Sequence, residues 1–128
     1  ITSPGGSTYP LHVDNTLGVT NSPIDDTRKL TCILYLNEHV QGGELRLLML
    51  GGGCLDLDPR AGRMVIFWSD EIPHEVLPCA PSQTASSEEY DRYALTLWLP
   101  DADPRNIQMT GSKFESLRVG AFTEENWC

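Results

Sequence analysis

Short segments in which apolar and polar residues alternate, or in which apolar, β-branched and aromatic residues run together, recur along the chain between turn signals. Pro10–Asp14 (PLHVD) reads as a short strand after the loop SPGGST, and the polar, turn-rich stretch Asn15–Asp26 follows it. Lys29–Asn37 (KLTCILYLN) is the first strong strand. Gly42-Gly43 opens Glu44–Leu50 (ELRLLML), and Gly51-Gly52-Gly53 closes it. Leu55 and Leu57 alternate with Asp56 and Asp58 before a turn at 59–62. Arg63–Trp68 (RMVIFW) has the composition of a buried strand, Glu75–Leu77 is brief, and Arg92–Leu99 (RYALTLWL) is strong again. The polar, Ser-rich stretch Pro78–Glu89 is a loop, and only the tail from Ser112 offers any helical pattern, a poor one. Six or seven short strands with turns every 8–12 residues predict an all-β sandwich or jelly roll.

Composition narrows this picture. A chain of 128 residues supports one domain with a core, and 40% hydrophobic residues argue against disorder. Eighteen Asp+Glu against nine Lys+Arg leave a net charge of −9, which repels phosphate backbones, so nucleic acid is not the expected partner. No run approaches the ~20 apolar residues of a membrane span. The cysteines 32, 54, 79 and 128 lack zinc-finger or CxxC spacing, and Cys32 and Cys54 lie in or beside apolar runs. They read as small buried hydrophobes in a reducing compartment, with two disulfides as the alternative.

Three histidines are easily weighed. His12 and Asp14 form an H-x-D pair on a candidate strand, where residues i and i+2 share a face and can converge on one ion. His74 follows the turn SDEIP, and an antiparallel sandwich readily folds it back beside the first strand. Two histidines and one carboxylate on one face of a metal leave open positions, the arrangement of non-haem Fe(II) oxygenases. An H-x-D pair alone is common by chance. His39, in NEHVQGG, has no carboxylate two residues away and reads as structural. An oxygenase using 2-oxoglutarate also needs a cation for the distal carboxylate, which the planar fork of Arg suits. Arg92 is the candidate, with Thr96 and Trp98 further along the same face.

Together, HVDN at 12–15, LTCILYLN at 30–37, GGELR at 42–46, FWSD at 67–70, PHEV at 73–76 and RYALTLW at 92–98 resemble the 2-oxoglutarate-dependent prolyl 4-hydroxylases. The nearest branch is the cytoplasmic oxygen-sensing one, acting on hypoxia-inducible factor or on the ubiquitin-ligase subunit Skp1. Arg92 directs the choice of branch, because collagen-type enzymes place Lys there. The resemblance covers about residues 4–103 and implies a double-stranded β-helix (jelly roll) core with few flanking helices in this chain. It implies iron ligation by His12, Asp14 and His74, and a 2-oxoglutarate carboxylate held by Arg92 and Tyr35 with Thr96 nearby. Ile33, Leu45 and Val76 would wall the cosubstrate pocket. Tyr9 and Trp98 would face metal and substrate proline, and Arg28 would contact substrate from a loop. Val65, Ile66, Phe67 and Leu97 would supply the apolar surroundings.

The implied activity couples oxidative decarboxylation of 2-oxoglutarate by O2 to hydroxylation at C4 of a prolyl residue in a protein or peptide. Ascorbate would be supportive, and the enzyme would be a monomer in the cytoplasm, with a nuclear location also open. Three departures stand out. Arg92 follows His74 by 18 residues, about twice the family's spacing, which reads as an insertion at Pro78–Glu89. Ser3 or Thr2 stands where the family often has Tyr. The elements that precede the iron strand in the family are absent, so residues 1–128 are expected to be one catalytic domain truncated on its N-terminal side. The alternatives are a collagen-type or bacterial prolyl hydroxylase, and a cupin-like metal-binding module without redox chemistry.

Overall fold

A computed structural model describes residues 9–15, 26–38, 42–49, 52–79 and 91–107. Seven strands fall where the apolar segments predict them: β1 (Tyr9–His12), β2 (Arg28–Tyr35), β3 (Leu45–Leu48), β4 (Cys54–Leu57), β5 (Met64–Trp68), β6 (His74–Val76) and β7 (Ala94–Pro100). They form two antiparallel sheets, one in the order β1-β6-β3-β4 and the other β5-β2-β7. The chain crosses repeatedly from one sheet to the other, which is the winding of a jelly roll. A 3-10 turn, Pro104–Asn106, follows β7. The possible helix from Ser112, His39, Ser3, Thr2 and most of the Pro78–Glu89 insertion lie outside the described residues.

Period-two alternation decides what each sheet buries. On the three-stranded sheet, Thr31, Ile33 and Tyr35 of β2 face inward with Phe67 of β5, and all four are buried. Leu45 and Leu47 of β3 meet them from the other sheet, and Leu57, Val65, Ile72, Val76 and Ala94 pack around this core. The outward rows differ in kind between the sheets. Arg46 of β3 lies between Asp56 and Glu75 on the four-stranded sheet and pairs with both, at 2.8 and 3.8 Å. The outward face of the other sheet is apolar in all three rows: Met64-Leu34-Leu95, Ile66-Cys32-Leu97 and Trp68-Leu30-Leu99. Ile66 and Leu97, expected around the active site, therefore point away from it, because each is one residue out of phase with the inward row. They are 55% and 56% exposed, against 6% for Phe67.

The cysteines also depart from expectation. Cys32 and Cys79 are buried, as small hydrophobes are, and form no disulfide. Cys54 is disulfide-bonded, so not every thiol is reduced. Sitting at the start of β4 and only half-buried, it is accessible to a partner in a way that Cys32, enclosed within its sheet, is not.

Candidate active site

The inward faces of the two sheets enclose a cavity of about 200 Å³ whose lining includes His12, Asp14, His74, Arg92, Thr96 and Trp98. Register brings the histidines together: β1 pairs with β6 so that His12 lies opposite His74, with ring centroids 4.2 Å apart. Asp14 joins them from a position not anticipated. β1 ends at His12, so Asp14 sits at a bend beyond the strand rather than two places along it. The bend still turns its carboxylate back, and Asp14 Oδ1 lies 3.2 Å from His12 Nε2 and 3.7 Å from His74 Nε2. One ligand atom from each of the three falls within 4.8 Å of the others.

The hydrogen bonds behind these atoms fix which of them face inward. His12 Nδ1 bonds the Pro10 carbonyl at 2.7 Å and His74 Nδ1 bonds the Ile72 carbonyl at 3.1 Å. A carbonyl only accepts, so both Nδ1 atoms carry the proton and both Nε2 atoms, when the rings are neutral, present a lone pair to the centre. Asp14 Oδ2 is occupied from behind by the Thr31 hydroxyl (2.5 Å) and the Trp98 indole N–H (3.0 Å), which leaves Oδ1 for the centre. Thr31 is bonded in turn to Ser69 at 2.8 Å, and both are buried. Two neutral imidazoles and one carboxylate, each oriented by an outer partner and all turned to one point, fit a divalent first-row metal with positions left open.

Electrostatics agree with a site built to hold a cation. Burial opposes ionisation of Asp14, but His12, which donates to it when the ring carries both protons, and the hydrogen bonds from Thr31 and Trp98 outweigh it and hold the carboxyl far below its usual range. Burial and the neighbouring His12 push His74 below its ordinary value, toward the neutral, ligating form. For His12 burial is again the largest influence and favours neutrality, but the Asp14 carboxylate and the Pro10 carbonyl overcome it and raise the pKa.

The second charged group is Arg92. It lies just before β7 rather than opening it, and is only 6% exposed. Its guanidinium stacks over the Tyr35 ring at 4.9 Å, and Nη2 donates to the Tyr35 hydroxyl at 3.3 Å. Tyr35 thus contacts the Arg92 guanidinium through both its ring and its hydroxyl, and is not itself among the residues that line the cavity. Its backbone is pinned by the Tyr35 N–H to Arg63 carbonyl bond (3.0 Å) and by the Gly62 N–H (2.9 Å), donated from a turn whose φ of 77° suits glycine. Ile33, Leu45 and Val76 line the cavity as apolar walls, and Thr96 stands between Arg92 and Trp98. Tyr9 reaches the rim, its ring 4.9 Å from that of His12. Arg28 is not in the lining: it packs over the Trp98 ring at 5.3 Å and is bound to Asp26 at 2.5 Å. Thr31, which lines the cavity and bonds Asp14, and Ser69, bonded behind it, were not anticipated from the sequence, although both lie within quoted motifs. A hydroxyl at an inward-facing place of an apolar strand was the available signal.

Comparison with known proteins gives a consistent result. The family model described as 2OG-Fe(II) oxygenase superfamily matches residues 2–100. The chain is 38% identical over 127 residues to the hypoxia-inducible factor prolyl hydroxylase of Caenorhabditis elegans, covering 94% of this chain and 15% of that protein. Among solved structures it is similar to a Pseudomonas putida prolyl-4-hydroxylase, with 36% identity, a TM-score of 0.61, and coverage of 77% of this chain and 48% of that one. It is equally similar to a Trichoplax adhaerens prolyl hydroxylase solved with a hypoxia-inducible factor oxygen degradation domain fragment, with 34% identity, a TM-score of 0.61, and coverage of 80% and 41%. The chain spans between 15% and 39% of the length of the curated relatives it matches.

Proposed function

Starting from the fact that the chain belongs to the 2OG-Fe(II) oxygenase superfamily, we propose that it is the catalytic domain of a protein prolyl 4-hydroxylase. In this reading Fe(II) binds His12, Asp14 and His74, 2-oxoglutarate is the cosubstrate, and O2 is the oxidant. The observation that carries it is one cavity lined by both the inward-turned His12–Asp14–His74 cluster and the buried Arg92. A cupin-like metal module has no use for a buried guanidinium there; a dicarboxylate that must bridge metal and cation does.

When bound, Fe(II) supplies the redox chemistry that splits 2-oxoglutarate to succinate and CO2 and inserts one oxygen atom into a C–H bond. The chain's own residues supply placement. Thr31 and Trp98 hold Asp14 to a single inward oxygen. Arg92, backed by Tyr35, meets the distal carboxylate. Ile33, Leu45 and Val76 exclude water around the cosubstrate chain, which strengthens that charge pair. Trp98 and Tyr9 form the rim over which a prolyl ring would lie, and Arg28, stacked on Trp98, borders the same opening.

The substrate is a proline in a protein or peptide of the hypoxia-inducible factor or Skp1 kind, with oxygen sensing as the role and ascorbate as supporting reductant. The similarity to relatives named for that factor favours this branch. The bacterial neighbour keeps a free-standing prolyl hydroxylase as second reading. We further propose a monomer acting in the cytoplasm or nucleus. The unoxidised Cys32 and Cys79 thiols favour that location and the Cys54 disulfide opposes it, a balance that cell fractionation decides.

Anaerobic reconstitution with Fe(II) and 2-oxoglutarate, then oxygen and a panel of proline peptides, tests the whole reading. One added oxygen on one peptide with matching succinate is the expected result. A folded protein with no iron–2-oxoglutarate absorption band would sink it.

A further inference from the structure

We propose that Asn37 is a positioning residue that sets Arg92 in place for the distal carboxylate of the cosubstrate. The proposal rests on the reading of Arg92 as the carboxylate anchor and extends it to a residue remote in sequence.

Arg92 lies in a short stretch, 91–93, between β7 and a segment that lengthens the His74-to-Arg92 spacing to 18 residues. A guanidinium that must meet a carboxylate bidentately tolerates little wandering of its backbone. One restraint on that backbone comes from β2. Up to Tyr35, β2 pairs with β7, ending at Tyr35 opposite Ala94, and the Leu36 N–H adds one bond to the Tyr93 carbonyl at 3.0 Å. Beyond that point the side chain of Asn37 takes over. Its Nδ2 donates to the Asp91 carbonyl at 2.7 Å, and its Oδ1 accepts from the Tyr93 N–H at 2.9 Å. These are the backbone groups immediately before and after Arg92.

One planar amide therefore brackets Arg92, donating to the peptide on one side of it and accepting from the peptide on the other. Ser offers no such reach, Asp lacks the donor, and Gln is a methylene too long. The other end of the inserted segment is fastened separately, by the Gly42–Cys79 bridge and the Gly43 N–H to Pro78 carbonyl bond at 3.1 Å. The described residues on both sides of the insertion, 78–79 and 91–93, are thus each held by hydrogen bonds.

The test uses the full-length protein loaded with Fe(II) and compares binding of 2-oxoglutarate with binding of pyruvate, which has the 2-oxo acid head but no distal carboxylate. Asn37→Ala is expected to weaken 2-oxoglutarate binding, and to raise its KM, by about 5- to 20-fold, the scale of one to two hydrogen bonds. Pyruvate binding should not change. Asn37→Asp, which keeps the acceptor for Tyr93, should fall between. Equal weakening of both ligands, or unchanged 2-oxoglutarate binding, overturns the proposal. If Asn37→Ala does not fold, Asn37→Asp decides alone on the same criterion of selective weakening. Arg92→Ala separates the two levels. If it binds 2-oxoglutarate as the unsubstituted protein does, the anchor reading itself fails; if it weakens binding while the Asn37 variants do not, only the positioning role fails.

Discussion

The Thr31 hydroxyl donates to Asp14 Oδ2 across 17 residues of chain, and the Trp98 indole donates to the same oxygen. Two donors on one oxygen commit the carboxylate to ligate through the other, which keeps it monodentate and leaves coordination positions for cosubstrate and O2. Thr31→Val keeps the shape and removes the donor. Anaerobic calorimetry with Mn(II) or Fe(II) should show binding weakened about 10-fold, the usual scale for losing an outer-sphere partner. Thr31→Ser should restore most of it. Unchanged affinity in Thr31→Val would mean that Trp98 alone orients Asp14.

Tyr35 divides its effect on Arg92 between ring and hydroxyl. Tyr35→Phe leaves the stacking surface and deletes only the oxygen that accepts from Nη2. The KM for 2-oxoglutarate should rise by about 3- to 10-fold, in line with one lost hydrogen bond to a charged group, while Fe(II) affinity stays the same. Steady-state kinetics at varied 2-oxoglutarate, with a metal titration alongside, reads both.

How legible this site was in the sequence depends on which side chains announce themselves. His12, His74 and Arg92 are residue types that strands seldom bury without cause, and the period of two placed Ile33 with Tyr35 and Val76 with His74 on common faces. The same period misleads at strand ends. Asp14 reaches His12 by a bend, which no alternation rule describes, and Arg92 stands before its strand. Ile66 and Leu97 look like core by composition, because alternation vanishes in a segment apolar on both faces; only the pairing register assigns them outward. Thr31, Ser69 and Asn37 act through partners 17, 38 and up to 56 residues away, and contacts of that range are set by the fold rather than by any local pattern.

Acid should destabilise the metal-free protein in a defined window. Asp14 and Asp26 are partly buried, which by itself would raise their pKa values, yet their hydrogen-bonded partners bring both below the ordinary 3.8. A carboxyl depressed in the folded state contributes stability that is complete above about pH 3.8 and is lost as pH falls through the folded value. The histidines oppose each other near 6.5. His12, raised, contributes below that pH and loses its contribution as pH rises; His74, lowered, contributes above it and loses its contribution as pH falls. Thermal melts in chelator should therefore pass through a local maximum near pH 6.5 and fall steeply below about pH 4. Asp14→Asn should flatten part of that acid limb.

Two adjacent residues of β5 give the sharpest test of the register. Phe67 faces the core, 6% exposed, with its ring against that of His74 at a centroid distance of 4.6 Å; Ile66 faces outward, 55% exposed. Truncating Phe67 to Ala opens a cavity directly behind a metal ligand and should cost about 3–5 kcal/mol. It should also weaken metal binding, because the Phe67 ring packs edge-on against that of His74 and helps to fix its orientation. Ile66→Ala removes a side chain already half in water and should cost less than about 1 kcal/mol. Urea unfolding of the two variants, read at equal slope, distinguishes them. A one-residue slip of β5 against β2 would exchange the two faces and reverse the order of the costs, so equal or inverted values would place Ile66 rather than Phe67 against the site.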